Sequence, residues 1–241
     1  MKKTLFLLIA GGAFSIAQAA SVFVDVYRDG EGRDGMNQYT SNAEAVLPLV
    51  DASGSDTPYT LKIVKSAGNF FNTALATVTP GEDDPAYYAY YQNKAAMTDL
   101  VNTLGSFDYG SLSSYMAPGA GGSTTSSIQL GGLTVGDTVT FYMFVSSTVA
   151  APGATTVTGG SGTFEYAATD GSGFSLSPSF TNGRLTLVKW TGEATADTLD
   201  FRIGGQKAGI AAMAFSVVPE PAAASMGLLG LAVLMVRRRR S

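Results

Sequence analysis

Carboxylates are the main candidates for catalytic chemistry in this sequence, because histidine and cysteine are both absent. Their absence excludes a Ser-His-Asp triad, a thiol nucleophile and a zinc site built on His or Cys. Two carboxylates across a cleft can still hydrolyse glycosides. Glu165 and Glu193 lie on or beside predicted strands and form the one pair to consider for a glycoside hydrolase. Solvated strand residues are the simpler interpretation, so we predict no catalytic residue and a protein that is not an enzyme.

Aromatic side chains are the second set of candidates, because a flat apolar ring with a polar tip can stack on a sugar. The segment 86–91 reads AYYAYY, and the chain has a single tryptophan. The stacking candidates are Tyr87, Tyr90, Tyr91 and Trp190. They would serve a carbohydrate-binding module that recognises a polysaccharide. Packing is the alternative, because a helical stripe usually faces the core and a large aromatic side chain usually supplies buried area.

A glycine-rich acidic stretch near the start of the chain suggests calcium. Asp29, Glu31 and Asp34 stand in the run DGEGRDG. An EF-hand loop needs oxygen ligands at its fifth and twelfth positions, but here these are Arg33 and Thr40, so an EF-hand is not expected. A structural calcium ion in a jelly-roll loop and a plain turn with solvated charges both stay open. We expect no other cofactor and no catalytic metal.

Short β-strands separated by turns of Gly, Ser, Thr and Pro dominate residues 20–217. Alternating apolar and polar residues predict strands at 22–28, 59–64, 138–145, 163–168, 173–180, 184–190, 199–203 and 211–217. One short helix is predicted at 84–105, since an aspartate before Pro85 can cap it and Gly105 can end it. The pattern indicates a mainly β protein, an antiparallel β-sandwich or jelly roll. From Leu133 onward the chain resembles carbohydrate-binding and galactose-binding-like jelly rolls in fold only.

The beginning of the chain has the order of a secretory signal peptide at residues 1–19. Lys2 and Lys3 precede an apolar run at 5–16, and Ala17 and Ala19 form an A-x-A motif, so signal peptidase is expected to cut after Ala19. An exported domain without cysteine must rely on its core for stability. Without the six basic residues of the two chain ends, nine Lys and Arg stand against 19 Asp and Glu, a net charge near −10. Such a surface repels nucleic acid, which is therefore excluded as a partner.

The last segment, 218–241, combines three features in a fixed order. Pro219, Glu220 and Pro221 continue neither a helix nor a sheet and stay extended. The apolar run 222–236 follows as a predicted transmembrane helix; it is shorter than the about 20 residues that span a bilayer, so a core helix is the alternative. Four arginines follow as predicted stop-transfer charges, which stay on the cytoplasmic side of the membrane: Arg237, Arg238, Arg239 and Arg240.

This tail resembles the PEP-CTERM sorting signal of Gram-negative bacteria, in which an exosortase, a membrane cysteine transpeptidase, cuts near the PEP motif. The resemblance covers the tail alone. It implies that Pro219, Glu220 and Pro221 are the recognition and processing residues, and that the inner membrane anchors the protein transiently. Residues 20–217 are then the cargo domain, with a helical insertion at 84–105. We predict a non-catalytic protein of the cell surface or extracellular matrix, with signal peptidase and exosortase as partners and an extracellular polysaccharide as the alternative ligand.

Overall fold

A computed structural model describes residues 19–26, 35–39, 45–65, 70–74, 94–105, 114–118, 126–147, 155–168, 171–177, 184–203 and 208–220. Within these ranges the chain forms one helix and fourteen strands. The helix is α1 (Lys94–Leu104). The strands are β1 (Ala20–Val26), β2 (Asn37–Tyr39), β3 (Leu47–Val50), β4 (Asp56–Lys65), β5 (Phe70–Ala74), β6 (Ser114–Pro118), β7 (Ser126–Gly131), β8 (Thr138–Ser147), β9 (Thr155–Thr158), β10 (Gly160–Ala167), β11 (Phe174–Ser175), β12 (Arg184–Ala194), β13 (Thr198–Ile203) and β14 (Ala208–Val218).

The strands form two sheets, so the predicted mainly β class is confirmed. The larger sheet has nine strands in the order β11-β10-β12-β8-β14-β1-β2, with β6 beside β14 and β5 beside β6. The smaller sheet has five strands in the order β3-β4-β7-β13-β9. Most pairs are antiparallel, and β1 with β2 is a parallel pair. The strand that the chain reaches last, β14, therefore lies in the middle of the larger sheet.

The main core lies between the two sheets and is built around aromatic rings. Phe141 of β8 stacks on Phe201 of β13 at 4.6 Å between ring centroids and on Phe215 of β14 at 5.7 Å. Trp190 of β12 meets Phe201 edge-on at 5.3 Å. These residues follow the two-residue period of their strands, which sends every second side chain to the same face. The alternation thus assigns the residues of each strand to its two faces.

A second, smaller core lies on the opposite face of the nine-stranded sheet, beneath α1. The helix buries Ala96, Met97, Leu100 and Leu104 there, against Phe144 and other sheet residues. This second core explains why β8 is apolar on both faces. Gly105, at φ +94°, donates its amide to the carbonyl of Val101 at 2.8 Å and ends the helix as predicted. The earlier part of the predicted helix, with Pro85, falls outside the described residues.

Candidate functional site

The first and last strands bring the predicted signal peptidase site next to the predicted sorting motif. β1 begins at Ala20, directly after Ala19, and β14 ends at Val218, directly before Pro219. The two strands are antiparallel neighbours, with Ala20 opposite Val217. Adjacent strands lie about 4.8 Å apart. The chain therefore enters and leaves the sandwich at one point on one end.

The last residues before the motif are held firmly in the sheet. Val217 is fully buried and is paired with Val139 of β8 on one side and Ala20 of β1 on the other. Val218 is still opposite Thr138 of β8, although its side chain is 47% exposed. The backbone is thus fixed up to the residue that precedes Pro219.

Glu220 lies against the turn that leads into β8. Gly136 in this turn has a φ of +97°, and a Cβ added there would overlap the Glu220 side chain, with the Glu220 Cδ only 2.9 Å away. The Gly136 amide donates to the carbonyl of Ala194 at 2.9 Å, and the Ala194 amide donates to the carbonyl of Asp137 at 2.9 Å. Glycine therefore meets two requirements at position 136, a left-handed backbone and room for Glu220.

Asp137 closes the same turn from inside the protein. Its Oδ2 accepts a hydrogen bond from the amide of Thr134 at 2.8 Å, and its side chain is almost fully buried. Burial raises the pKa of the nearby Tyr59 hydroxyl, and the negative charge of Asp137 raises that pKa further. The turn that receives Glu220 is thus a rigid part of the domain.

Among the described residues, the end of the sandwich that contains this turn carries only negative side-chain charge. It is formed by residues 51–56, 132–138, 159–160, 193–198 and 218–220, which contain no Lys or Arg. Its carboxylates are Asp51, Asp56, Asp137, Glu193, Asp197 and Glu220. Hydrogen bonds from the Ser53 side chain and the Ser55 amide hold the pKa of Asp51 below its usual value. The part of the chain that the structure describes contains no cluster of three or more His, Cys, Asp or Glu able to hold a metal ion.

The backbone positions of Glu165 and Glu193 lie farther apart than the two carboxyl groups of a glycoside hydrolase. Both lie on the outer face of the nine-stranded sheet, where Glu165 is opposite Lys189 and Glu193 is opposite Ser161. Lys189 and Glu193 are four residues apart on β12, which is about 13 Å at the rise of a strand. Carboxyl groups that act together lie about 5–9.5 Å apart. Glu165 also forms an ion pair with Lys189 at 3.7 Å, so its surroundings fit a structural role.

A polar cluster joins α1 to the sheet and was not foreseen from the sequence. The Nζ of Lys189 lies 3.0 Å from the Oδ2 of Asp99 on α1, and the hydroxyl of Tyr142 donates to the same oxygen at 2.8 Å. The Lys189 ammonium also lies 5.3 Å from the ring centre of Phe174, within cation–π range. We name Lys189, Asp99, Tyr142 and Glu165 the helix clasp.

The helix clasp is expected to stabilise the packing of α1. Asp99→Ala should lower the free energy of unfolding by about 1–3 kcal/mol, because it removes two hydrogen bonds to a charged group and leaves Lys189 partly buried. Asp99→Asn keeps an acceptor for the Tyr142 hydroxyl and should cost less. Urea denaturation followed by circular dichroism measures both values. Equal stability of the alanine variant and the wild type would show that the clasp contributes nothing.

Tyr142 should make the stability fall at alkaline pH. Burial raises the pKa of its hydroxyl far above the usual value, and Asp99 raises it further. The unfolded chain begins to release this proton near pH 10 while the folded chain retains it, so this contribution is complete below pH 10 and is lost as pH rises further. Each pH unit above 10 should cost about 1.4 kcal/mol through this group. Urea denaturation of Tyr142→Phe at pH 9, 10 and 11 should give a smaller slope than wild type; an identical slope would contradict the assignment.

The remaining sequence candidates divide between the core and positions outside the described residues. Trp190 is fully buried between the sheets, so a ligand-stacking role would need an exposed ring face that it does not have. Trp190 instead packs in the core, on the same face of β12 as Thr186 and Val188, as the packing interpretation predicted. Outside the described residues lie Tyr87, Tyr90, Tyr91, Ala17, Pro221, the acidic stretch 29–34, the apolar run 222–236 and the arginine block 237–240.

Within the described ranges, no helix has both the length and the apolar character needed to cross a membrane. No protein-family model, no curated protein and no solved structure matches this chain.

Proposed function

We propose that this protein is an exported, non-catalytic cell-surface or extracellular-matrix protein of a Gram-negative bacterium, sorted by an exosortase through the tail 218–241. Its β domain, a jelly-roll sandwich, is the cargo. The N-terminal signal directs export, and the tail presents Pro219-Glu220-Pro221 at the inner membrane as a transient anchor. The cargo then remains at the envelope surface or in the matrix.

One observation supports this proposal above the others. The pairing of Ala20 with Val217 sets both expected processing sites immediately outside the same end of the folded sheet. Removal of either extension therefore takes away no part of β1 or β14. A domain whose first and last described strands stop within a few residues of each expected cut suits a protein that is trimmed at both ends.

The proposal is tested by the mass of the protein isolated from its native host, with Glu220→Gln and Glu193→Gln as matched variants. Both glutamates are exposed and lie at the same end of the domain, but only Glu220 belongs to the motif. The wild type and Glu193→Gln should begin near Ala20 and lack Arg237 to Arg240, while Glu220→Gln should accumulate uncut in the membrane fraction. A wild-type chain that keeps its arginines, or normal cutting of Glu220→Gln, would contradict the proposal.

Recognition of a polysaccharide is the second candidate function, and the outer face of the five-stranded sheet favours it. Two in-register rows of side chains cross four strands of this face: Lys62, Gln129, Asp200 and Thr158, then Val64, Ser127, Arg202 and Thr156. The intervening residues of the strands, such as Leu61 and Phe201, are buried in the main core, so these rows face outward. A flat array of donors and acceptors suits a hydroxyl-rich chain.

A glycan array probed with the purified domain tests this second candidate. Gln129→Ala should reduce binding if the sheet face is used, and Tyr90→Ala should reduce it if the tyrosine segment is used. Thr163→Ala, an exposed position on the other sheet, is the matched control and should not change binding. Absence of binding to every polysaccharide would eliminate this function.

A further inference from the structure

We infer, on the basis of the proposed function, that the bond cut in the folded protein lies on the C-terminal side of Glu220. An enzyme that cuts a peptide bond binds its substrate as an extended segment and must reach residues on both sides of that bond. The enzyme can bind only residues that are not already paired or packed in the domain. The final strand and the turn beside it determine the position in the chain at which such residues begin.

The strand itself disfavours a cut before Glu220. Phe215 and Val217 are fully buried, and both are paired on two sides, with β8 and with β1. Val218 is the last residue of the ladder, because the next residue, Pro219, has no amide hydrogen to donate. An enzyme that cut before or after Pro219 would need more of residues 215–218 to leave the sheet than an enzyme that cuts beyond Glu220. Such residues open rarely, since strands at the centre of a sheet belong to the most stable part of a fold.

The turn beside β14 contacts the side chain of the residue that follows Pro219. The Glu220 side chain lies over Gly136, and the backbone of that turn is fixed by its hydrogen bonds to Ala194. Glu220 is exposed to solvent, so an enzyme can recognise its carboxylate without unfolding the domain. We therefore assign Glu220 as the boundary between the folded domain and the segment that is cut.

Brief digestion with proteinase K tests the structural part of the inference. The purified full-length chain in detergent should be cut after Glu220 and not within 208–219, as mapped by mass spectrometry. A synthetic peptide of residues 212–226 has the same sequence and prolines but no sheet, and it should be cut within 212–218. Cutting of the folded chain at 215–219 as fast as the peptide would overturn the inference.

The C-terminal residue of the processed protein from its native host tests the functional part. A chain that ends at Glu220 or later supports the inference. A chain that ends at Val218 or Pro219 overturns it while the proposed function stands. A chain that still carries Arg237 to Arg240 overturns both, so the two failures are distinguishable.

Discussion

A chain that ends at residue 207 is expected not to fold, whereas a chain that ends at Glu220 is expected to fold like the whole protein. The missing strand, β14, lies between β8 and β1. It contributes four buried side chains to the main core: Ile210, Met213, Phe215 and Val217. Each is worth about 1.5–3 kcal/mol of burial. Their sum is comparable with the whole stability of a typical domain, about 5–15 kcal/mol.

Far-UV circular dichroism and thermal unfolding of the two chains measure this difference. The chain ending at Glu220 should unfold cooperatively, and the chain ending at residue 207 should show no cooperative transition. A synthetic peptide of residues 208–218 should restore the transition of the shorter chain, because it can insert as the missing strand. Cooperative unfolding of the shorter chain alone would show that β14 is dispensable.

Trp190→Ala is expected to lower the free energy of unfolding by about 3–5 kcal/mol, the range for removal of a buried large aromatic side chain. The ring of Trp190 is fully buried, and Phe201 meets it edge-on. Glycines flank the ring closely: a Cβ at Gly162 would lie 2.6 Å from Cζ2 of the indole. Because these neighbours are fixed backbone, they cannot move far to fill the cavity.

Two further variants separate packing from other effects. Thr191→Ala changes the exposed neighbour of Trp190 on the opposite face and should alter stability by less than about 0.5 kcal/mol. Trp190→Phe should cost less than the alanine variant, since the indole Nε1 makes no hydrogen bond among the described residues. Urea denaturation gives all three values. A loss below about 1 kcal/mol for Trp190→Ala would contradict a core role. Because Trp190 is buried, loss of polysaccharide binding in Trp190→Ala and in no other variant would indicate unfolding of the domain and not loss of a contact with the ligand.

Local patterns in the sequence predicted the long strands but not the short ones. The alternation in β8, β12 and β13 was sufficient to place these strands, because each buries a regular set of side chains. Strands such as β2 (Asn37–Tyr39) and β9 (Thr155–Thr158) are too short to show a two-residue alternation of apolar side chains. Their positions are determined by pairing with the adjacent strands. In β14 a register shift between Ile210 and Ala212 breaks the alternation, so Ile210 joins Met213 in the main core. The predicted strand, which began at Ala211, did not include this bulge.

The candidate site was predictable in its residues but not in its geometry. The order of charges, apolar runs and prolines at the chain ends is local information. The contact of Ala20 with Val217 joins residues about 200 positions apart, and no periodicity signals such a pair. Glu220 and Gly136 meet for the same reason, through the pairing of β14 with β8. The helix clasp likewise depends on where α1 docks, which the order of residues alone does not specify.

The pairing of β1 with β14 also sets the time at which the domain can fold. A chain that crosses a membrane from its N-terminus delivers β1 first and β14 last among these strands. Until β14 arrives, β1 and β8 each lack a neighbour in the larger sheet, and non-local pairings of this kind make folding slow. In the export that we propose, the sheet therefore closes only when the end of the chain has followed, so that completion of the fold and emergence of Pro219 and Glu220 are nearly one event.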